Sequence, residues 1–189
     1  MSITNTTLAE RNFTIPTAPI LLETQSLCNQ TQIIFKNNMQ NYNTYEIILY
    51  DVTSYLGLNE IHLQLYNDFG LTAHTNYIYH NLITYISPSG VQVQGNVAPS
   101  IQLTDIAGGL PASGNDSFAG KIKIYDCLST TNNKQLDIRT IYNNQYNNLV
   151  SLQGLAVDLT NTLPINSFRI FSLSTRTFKS GFVQLWGIP

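Results

Sequence analysis

Residues 180–189 read SGFVQLWGIP, a strand pattern that runs to the last residue of the chain. Val183 and Leu185 lie two positions apart, which is the period of a β-strand with one buried face. Chain ends fray unless a terminal strand is tied into a sheet. We therefore expect this strand to seal the core with Val183 and Leu185, to direct Trp186 to the other face, and to pair with residues 168–173.

The same two-residue period recurs upstream. Residues 60–66 alternate cleanly and place Ile61, Leu63 and Leu65 on one face. Val91–Val93 follows an aromatic run that ends before a Ser-Pro-Ser-Gly turn, so it is predicted to be either the hairpin partner of that run or a short continuation of it. Helical spacing does not appear convincingly anywhere. The predicted strands cover residues 31–36, 45–50, 60–66, 77–86, 91–93, 100–104, 121–125, 134–142, 150–159, 167–173 and 181–186.

This series of short strands, separated by Gly, Pro and Asn turns, predicts an all-β antiparallel β-sandwich. We expect a jelly roll, because an immunoglobulin-type sandwich usually needs only about 100 residues. Residues 31–189 are predicted to form this single β-sandwich domain.

Residues 1–30 have a different pattern, with no clear period and with Pro16 and Pro19 in an apolar stretch. Proline lacks an N–H donor and has a fixed φ angle, which favours an extended backbone. We expect an extended N-terminal arm over residues 1–30. It would dock on a neighbouring subunit, or else cover its own domain as a strand or loop; the sequence leaves both open.

The composition is unusually poor in charge. Charged residues make up 11% of the chain, whereas a typical domain has roughly 25%. Asn and Gln supply roughly a sixth of all residues, so the polar surface is largely neutral. A surface with little like-charge repulsion associates easily, which favours a protein that is packed in an assembly. Codon bias in an AT-rich genome would produce a similar composition, although the scarcity of Lys does not suit it.

The charge pattern also argues against two classes of partner. The net charge is −2, and the sequence has no cluster of basic residues of the kind that binds nucleic acid. Lys121 and Lys123 alternate with Ile122 and Ile124, which predicts that the two lysines lie on the solvent-exposed face of a strand. No apolar run approaches the roughly 20 residues that span a bilayer, and the N-terminus lacks the pattern of a signal peptide. We expect neither nucleic acid nor a membrane as partner.

The sequence offers no recognisable catalytic, cofactor-binding or metal-binding constellation. His62, His74 and His80 do not have metal-ligand spacing, and the acidic residues are scattered singly. Cys28 and Cys127 are too few for a disulfide framework and are interpreted as inert core residues. Neither a nucleophile elbow nor a phosphate-binding Gly loop is present. The prediction is a non-enzymatic protein without a cofactor.

Residues 180–188 resemble the closure of small virion proteins from tailed bacteriophages: a small residue and Gly, an alternating strand, then Leu, an aromatic and Gly-Ile. Trp186 stands where Tyr is commoner, and residues 60–70 and 120–125 share softer features. The resemblance implies a capsid-associated structural subunit, of decoration, minor capsid or head-fibre type, located in the virion and made in the host cytoplasm. It implies a homo-oligomer that contacts other capsid or tail proteins.

A carbohydrate-binding or receptor-binding jelly-roll domain of a tail or fibre protein is the alternative. The chain has 11 Tyr residues, whose rings and hydroxyl groups suit sugar stacking as well as protein interfaces. Loop Tyr residues and the Gly-rich loop at residues 107–120 would then bind surface glycans. Ordinary strand propensity and partial burial explain about half of the Tyr residues equally well.

Overall fold

The computed structural model describes residues 18–36, 39, 41–55, 60–67, 73–86, 89–104, 117–144, 146–160, 162–173 and 177–189. This part of the chain contains twelve β-strands and no helix. The strands are β1 (Ile20–Ser26), β2 (Gln32–Lys36), β3 (Thr44–Ser54), β4 (Ile61–Tyr66), β5 (Tyr77–Ile86), β6 (Ser89–Ala98), β7 (Ile101–Gln102), β8 (Phe118–Tyr125), β9 (Lys134–Asn143), β10 (Leu149–Asp158), β11 (Ser167–Ser172) and β12 (Phe178–Ile188).

The strands form two antiparallel sheets packed face to face, so the predicted all-β sandwich is confirmed. The large sheet has the order β1-β12-β3-β8-β9-β10-β5-β6, and the small sheet has the order β2-β11-β4-β7. The first four strands of the chain alternate between the two sheets. The β5–β6 and β9–β10 pairs both lie in the large sheet and widen it beyond β8.

The core lies between the sheets and follows the two-residue period of the strands. Inward-facing aliphatic side chains of the large sheet meet those of the small sheet, and all are buried. The rings of Phe35 on β2 and Phe168 on β11 stack with centroids 4.7 Å apart. As predicted, Val183 and Leu185 belong to this core, while Trp186 lies on the opposite face of β12.

The predicted partner of the terminal strand is wrong. β12 pairs with β1 on one side and with β3 on the other, whereas β11 lies in the small sheet between β2 and β4. The period of a strand sets which side chains are buried, but it does not choose the neighbouring strand. In this protein, chain neighbours β11 and β12 lie in opposite sheets, so pairing over a long sequence separation replaces the expected hairpin.

The N-terminal segment is partly described. Residues 1–17 lie outside the described residues, and residues 20–26 form β1, an edge strand that pairs with β12 from Ile20↔Gly187 to Ser26↔Phe182. This part of the predicted arm therefore covers its own domain, which was the second of the two interpretations. A register shift between Leu21 and Glu23 breaks the alternation in β1, which explains why its sequence shows no clear period.

Several strands differ in length from the prediction: β3, β8 and β12 are longer, and β6 and β7 differ most. β6 extends from Ser89 to Ala98 and pairs with β5 along its whole length, well beyond the predicted Val91–Val93. Gly95 stands where the alternation calls for an apolar residue; a Cβ there would lie 2.7 Å from the ring of His80. β7 is reduced to Ile101–Gln102.

Candidate functional site

The three histidines lie in different environments. His62 and His74 are buried, whereas His80 is exposed on the outer surface of β5. No group of three or more His, Cys, Asp or Glu side chains that could hold a metal ion occurs within the described ranges.

His74 and Asp158 form a fully buried pair. Nδ1 of His74 hydrogen-bonds to Oδ2 of Asp158, and the other carboxylate oxygen accepts a hydrogen bond from the backbone N–H of Thr160 at 2.9 Å. Both side chains are 0% exposed. A His–Asp pair is a component of many catalytic sites, but a substrate cannot reach these atoms. We therefore interpret the pair as structural, linking the end of β10 to the segment before β5.

His62 lies on β4 in the small sheet, and its side chain is buried on the strand face that the alternation predicts to be polar. Its Nδ1 lies 2.9 Å from Oγ of Ser100, its Nε2 lies 3.4 Å from Oε2 of Glu60, and its ring contacts Phe171. Burial lowers the pKa of His62, although the Glu60 carboxylate acts in the opposite direction. The imidazole is therefore held mainly in its neutral form near neutral pH.

This environment predicts a loss of stability in mild acid. Because the folded-state pKa of His62 lies below the unfolded-state value, the unfolded chain binds the proton more readily. The stabilisation provided by the neutral His62 side chain is complete above the unfolded-state pKa of about 6.5. It is lost as the pH falls from that value towards the lower folded-state pKa. Denaturant titrations between about pH 7 and pH 5 should show a smaller loss for His62→Gln than for the natural chain. The exposed His80→Gln variant should behave like the natural chain, and equal losses in all three proteins would contradict the assignment.

The two cysteines differ in accessibility. Cys127 is buried, as interpreted from the sequence, and burial raises the pKa of its thiol to about 12. Cys28 is exposed, so the interpretation of both cysteines as core residues is wrong for this one. Both are free thiols.

A thiol-specific reagent should distinguish the two cysteines. Since the thiolate is the reacting species, we expect Cys28 to be labelled rapidly in the folded protein at neutral pH and Cys127 only after unfolding. Absorbance with a disulfide reagent, before and after adding guanidinium chloride, measures both steps. Rapid labelling of two thiols in the folded protein would contradict the burial of Cys127, and Cys28→Ser serves as the control.

A broad accessible surface is formed by the outer face of the large sheet. This outer face consists of the side chains on β12, β3, β8, β9, β10, β5 and β6 that point away from the small sheet. It divides into three parts along the sheet. Aromatic side chains lie over β12 and β3, charged side chains over β3, β8 and β9, and aliphatic side chains over β10, β5 and β6.

The aromatic part is centred on Tyr50 and Phe182. Their rings stack with centroids 5.5 Å apart on neighbouring strands, and both are exposed. Trp186 lies further along β12, on the same face, and its indole N–H donates to Oε1 of Gln184. These side chains offer flat apolar surfaces at one end of the outer face.

The charged part contains three cations and two carboxylates. Lys121 Nζ lies 2.8 Å from Oε2 of Glu46, and Lys123 Nζ lies 3.9 Å from the same oxygen. Arg139 Nη2 lies 3.6 Å from Oδ2 of Asp137, and the Arg139 side chain is 71% exposed. The prediction that Lys121 and Lys123 lie on the solvent-exposed face of a strand is confirmed, because Ile122 and Ile124, which alternate with them, are buried. This part has a local excess of one positive charge, whereas the whole chain has a net charge of −2.

Three shallow hollows cross this face, and Arg139 lines all of them. Their volumes are about 440, 250 and 460 Å³. The first extends to Tyr50 on β3 and the third extends to Val93 on β6. All three share Arg139, and neighbouring hollows also share Lys121 or Asp137, so they lie side by side across the strands between the aromatic part and the aliphatic part.

The aliphatic part lies on the strands that widen the large sheet. Val91, Val93 and Val97 on β6 are 69%, 70% and 63% exposed, and Leu155 on β10 is 68% exposed. The registers place Leu82 opposite Val93 and Ile78 opposite Val97, whereas Leu155 lies opposite His80. The outward-facing residues of β6 include no charged side chain.

The Tyr residues do not form one platform. Tyr45, Tyr66, Tyr77, Tyr79 and Tyr142 are buried, as the ordinary-burial interpretation expects for about half of them. Four are exposed, namely Tyr50, Tyr55, Tyr125 and Tyr146. Most of the Gly-rich loop predicted as a sugar platform, residues 105–116, lies outside the described residues.

Neither a protein-family model nor a curated protein or solved structure matches this chain. Among the described residues, no helix has the length and apolar character needed to cross a membrane.

Proposed function

We propose that this protein is a non-enzymatic structural subunit of a tailed bacteriophage virion, made in the host cytoplasm and bound to the capsid through protein–protein contacts. The observation that carries the proposal is the outer face of the large sheet, which is wide, sparsely charged and aliphatic over β10, β5 and β6. Contiguous apolar surfaces of this kind commonly serve as protein interfaces. The resemblance of residues 180–188 to virion proteins gives the class of assembly.

The order of the strands gives a second argument for the same proposal. Without the β5–β6 and β9–β10 pairs, eight strands remain in the orders β1-β12-β3-β8 and β2-β11-β4-β7. The first and last strands are neighbours, and consecutive strands change sheet except between β4 and β7. We infer that these eight strands form a jelly roll with two inserted strand pairs, an architecture that viral capsid proteins use.

Mass spectrometry of purified particles tests the proposal. The virus whose genome encodes the chain is propagated, and its particles are purified on a density gradient. We expect the protein to co-purify with particles at a fixed ratio to the major capsid protein. Its presence only in the free protein fraction of the lysate would overturn the virion assignment.

The outer face also favours a second candidate, a glycan-binding domain of a tail or fibre protein. The first hollow is lined by Tyr50, whose ring stacks on Phe182, and by Arg139 and Gln153. Aromatic rings stack on sugar faces, while guanidinium and amide groups bind hydroxyl and carboxylate oxygens. This arrangement suits an acidic oligosaccharide.

A glycan array separates the two candidates. A glycan-binding domain should bind a defined set of acidic oligosaccharides, and Arg139→Ala and Phe182→Ala should each abolish the signal. Leu173→Ala, an exposed position at the end of β11 in the small sheet, is the matched control. Silence across the array would remove this candidate and leave the virion proposal unaffected.

A further inference from the structure

We propose that β6 pairs edge to edge with β6 of a second copy of this chain, so that two large sheets join into one continuous sheet. This inference does not depend on the virion role, because it follows from the edge strand itself. It names the surface through which the predicted homo-oligomer forms.

The starting observation is the free edge of β6. The strand pairs with β5 over ten residue positions, from Ser89↔Ile86 to Ala98↔Tyr77, and no described strand pairs with its other side. In an antiparallel ladder, alternate residues direct their N–H and C=O groups away from the existing partner. β6 therefore presents a regular row of backbone donors and acceptors that another strand can bind.

The other three sheet edges carry features that discourage such pairing. β1 contains Glu23 and a register shift, β2 is five residues long and ends in Lys36, and β7 has only two residues. Charges, irregular register and short length are the usual protections of edge strands. β6 has none of them: its sequence, SGVQVQGNVA, contains neither a charged residue nor a proline over ten regularly paired positions.

The side chains beside this edge are also suited to burial. Val91, Val93 and Val97 are exposed by about two thirds. In an edge-to-edge pair, side chains on the two adjoining strands lie about 5 Å apart and pack against each other, so these valines lose part of their exposed apolar surface. Ile78, Leu82 and Leu155 lie further from the edge, on β5 and β10, and stay on the open outer face of the joined sheet.

A second copy is the occupant that fits this edge. Two identical antiparallel strands are related by a two-fold axis, so every contact is made twice and the interface closes as a dimer. If the two strands pair with Gln94 at the centre, Val91 of each copy lies opposite Val97 of the other copy, on the outer face. Since the strand carries no charge, the two copies bring no like charges together at the axis.

Sedimentation equilibrium of the full chain tests the dimer. We expect a mass of twice 21.1 kDa at micromolar concentration. Val93→Lys places two ammonium groups close to the axis and should raise the dissociation constant at least about 100-fold. Leu21→Lys, an exposed aliphatic position on the opposite edge strand β1, should leave it unchanged. Circular dichroism should show the same folded spectrum for both variants.

A third variant distinguishes edge pairing from association through the face of the sheet. Ile141→Lys lies on the same outer face, on β9, where its side chain is exposed, and it should not affect the dimer. If this variant weakens the dimer as strongly as Val93→Lys does, the interface is the sheet face and the edge proposal is wrong.

Hydrogen exchange of the natural chain tests the edge without any substitution. The β6 amides should become more protected as the protein concentration rises, because a second strand then binds their free N–H groups. The β1 amides, at the opposite edge of the large sheet, should exchange at a constant rate. A monomer at all concentrations, or β6 exchange independent of concentration, would overturn the proposal.

Discussion

Replacement of Asp158 by alanine is expected to lower the free energy of unfolding by about 3 to 5 kcal/mol. The carboxylate hydrogen-bonds to the ring of His74 and accepts the backbone N–H of Thr160, and both ionisable side chains are fully buried. The variant leaves the imidazole and an N–H group without their partner in a place that water does not reach. Since a domain is stabilised by only about 5 to 15 kcal/mol, this loss brings the protein close to unfolding.

Denaturant titration at neutral pH measures the effect, and Asp137→Ala is the matched control. Asp137 forms an ion pair with Arg139 on the outer face, where both side chains are partly exposed, so its loss should cost less than about 1 kcal/mol. In the double variant His74→Ala/Asp158→Ala, the cost should be less than the sum of the two single variants. Equal costs for Asp158→Ala and Asp137→Ala would show that the buried pair contributes no special stability.

Replacement of Gly181 by alanine is expected to cost about 2 to 4 kcal/mol. Gly181 has a φ angle of +127°, in a region that residues with a side chain rarely adopt. A Cβ atom there would lie 2.7 Å from Cα of Val52 and 3.1 Å from the backbone oxygen of Asp51. These are backbone atoms of β3, so relieving the contact requires the two neighbouring strands to separate.

Gly90→Ala provides the comparison, because nothing lies within 4 Å of a Cβ built there. Thermal and denaturant midpoints of the two variants should differ clearly, with Gly90→Ala close to the natural chain. If Gly181→Ala unfolds at the same denaturant concentration as the natural chain, the close approach of β12 to β3 at Gly181 is wrong.

Which side chains of each strand are buried could be predicted from the sequence, because the two-residue period is a local property. Val183, Leu185, Leu136 and Ile138 are buried where the alternation places them, and Lys121 is exposed. Strand β1 could not be predicted in this way, because Pro19, Glu23 and a register shift hide its period. The β5–β6 hairpin was one of the two alternatives predicted for Val91–Val93 and is the one observed, whereas β11 and β12 do not form the predicted hairpin.

The buried polar contacts were predicted least well, because they depend on contacts between distant parts of the chain. Lys134 appears in the sequence as one of a few basic residues, yet it is fully buried. Its ammonium group donates hydrogen bonds to the backbone oxygens of Ser129, Asn132 and Thr162, which come together only in the folded protein. Similarly, no spacing rule links His74 to Asp158, which are 84 residues apart.

The sequence alone determined the all-β class, the inner and outer faces of most strands, and the sparse charge of the surface, since alternation and composition act without knowledge of the neighbours. Only the tertiary structure decided that the terminal strand lies between β1 and β3, that the widened sheet exposes an aliphatic face, and that β6 lies at the edge of the large sheet. Backbone hydrogen bonds are the same for every pair of strands. The choice of partner therefore depends on how all the buried faces pack together, which no single segment of the chain specifies.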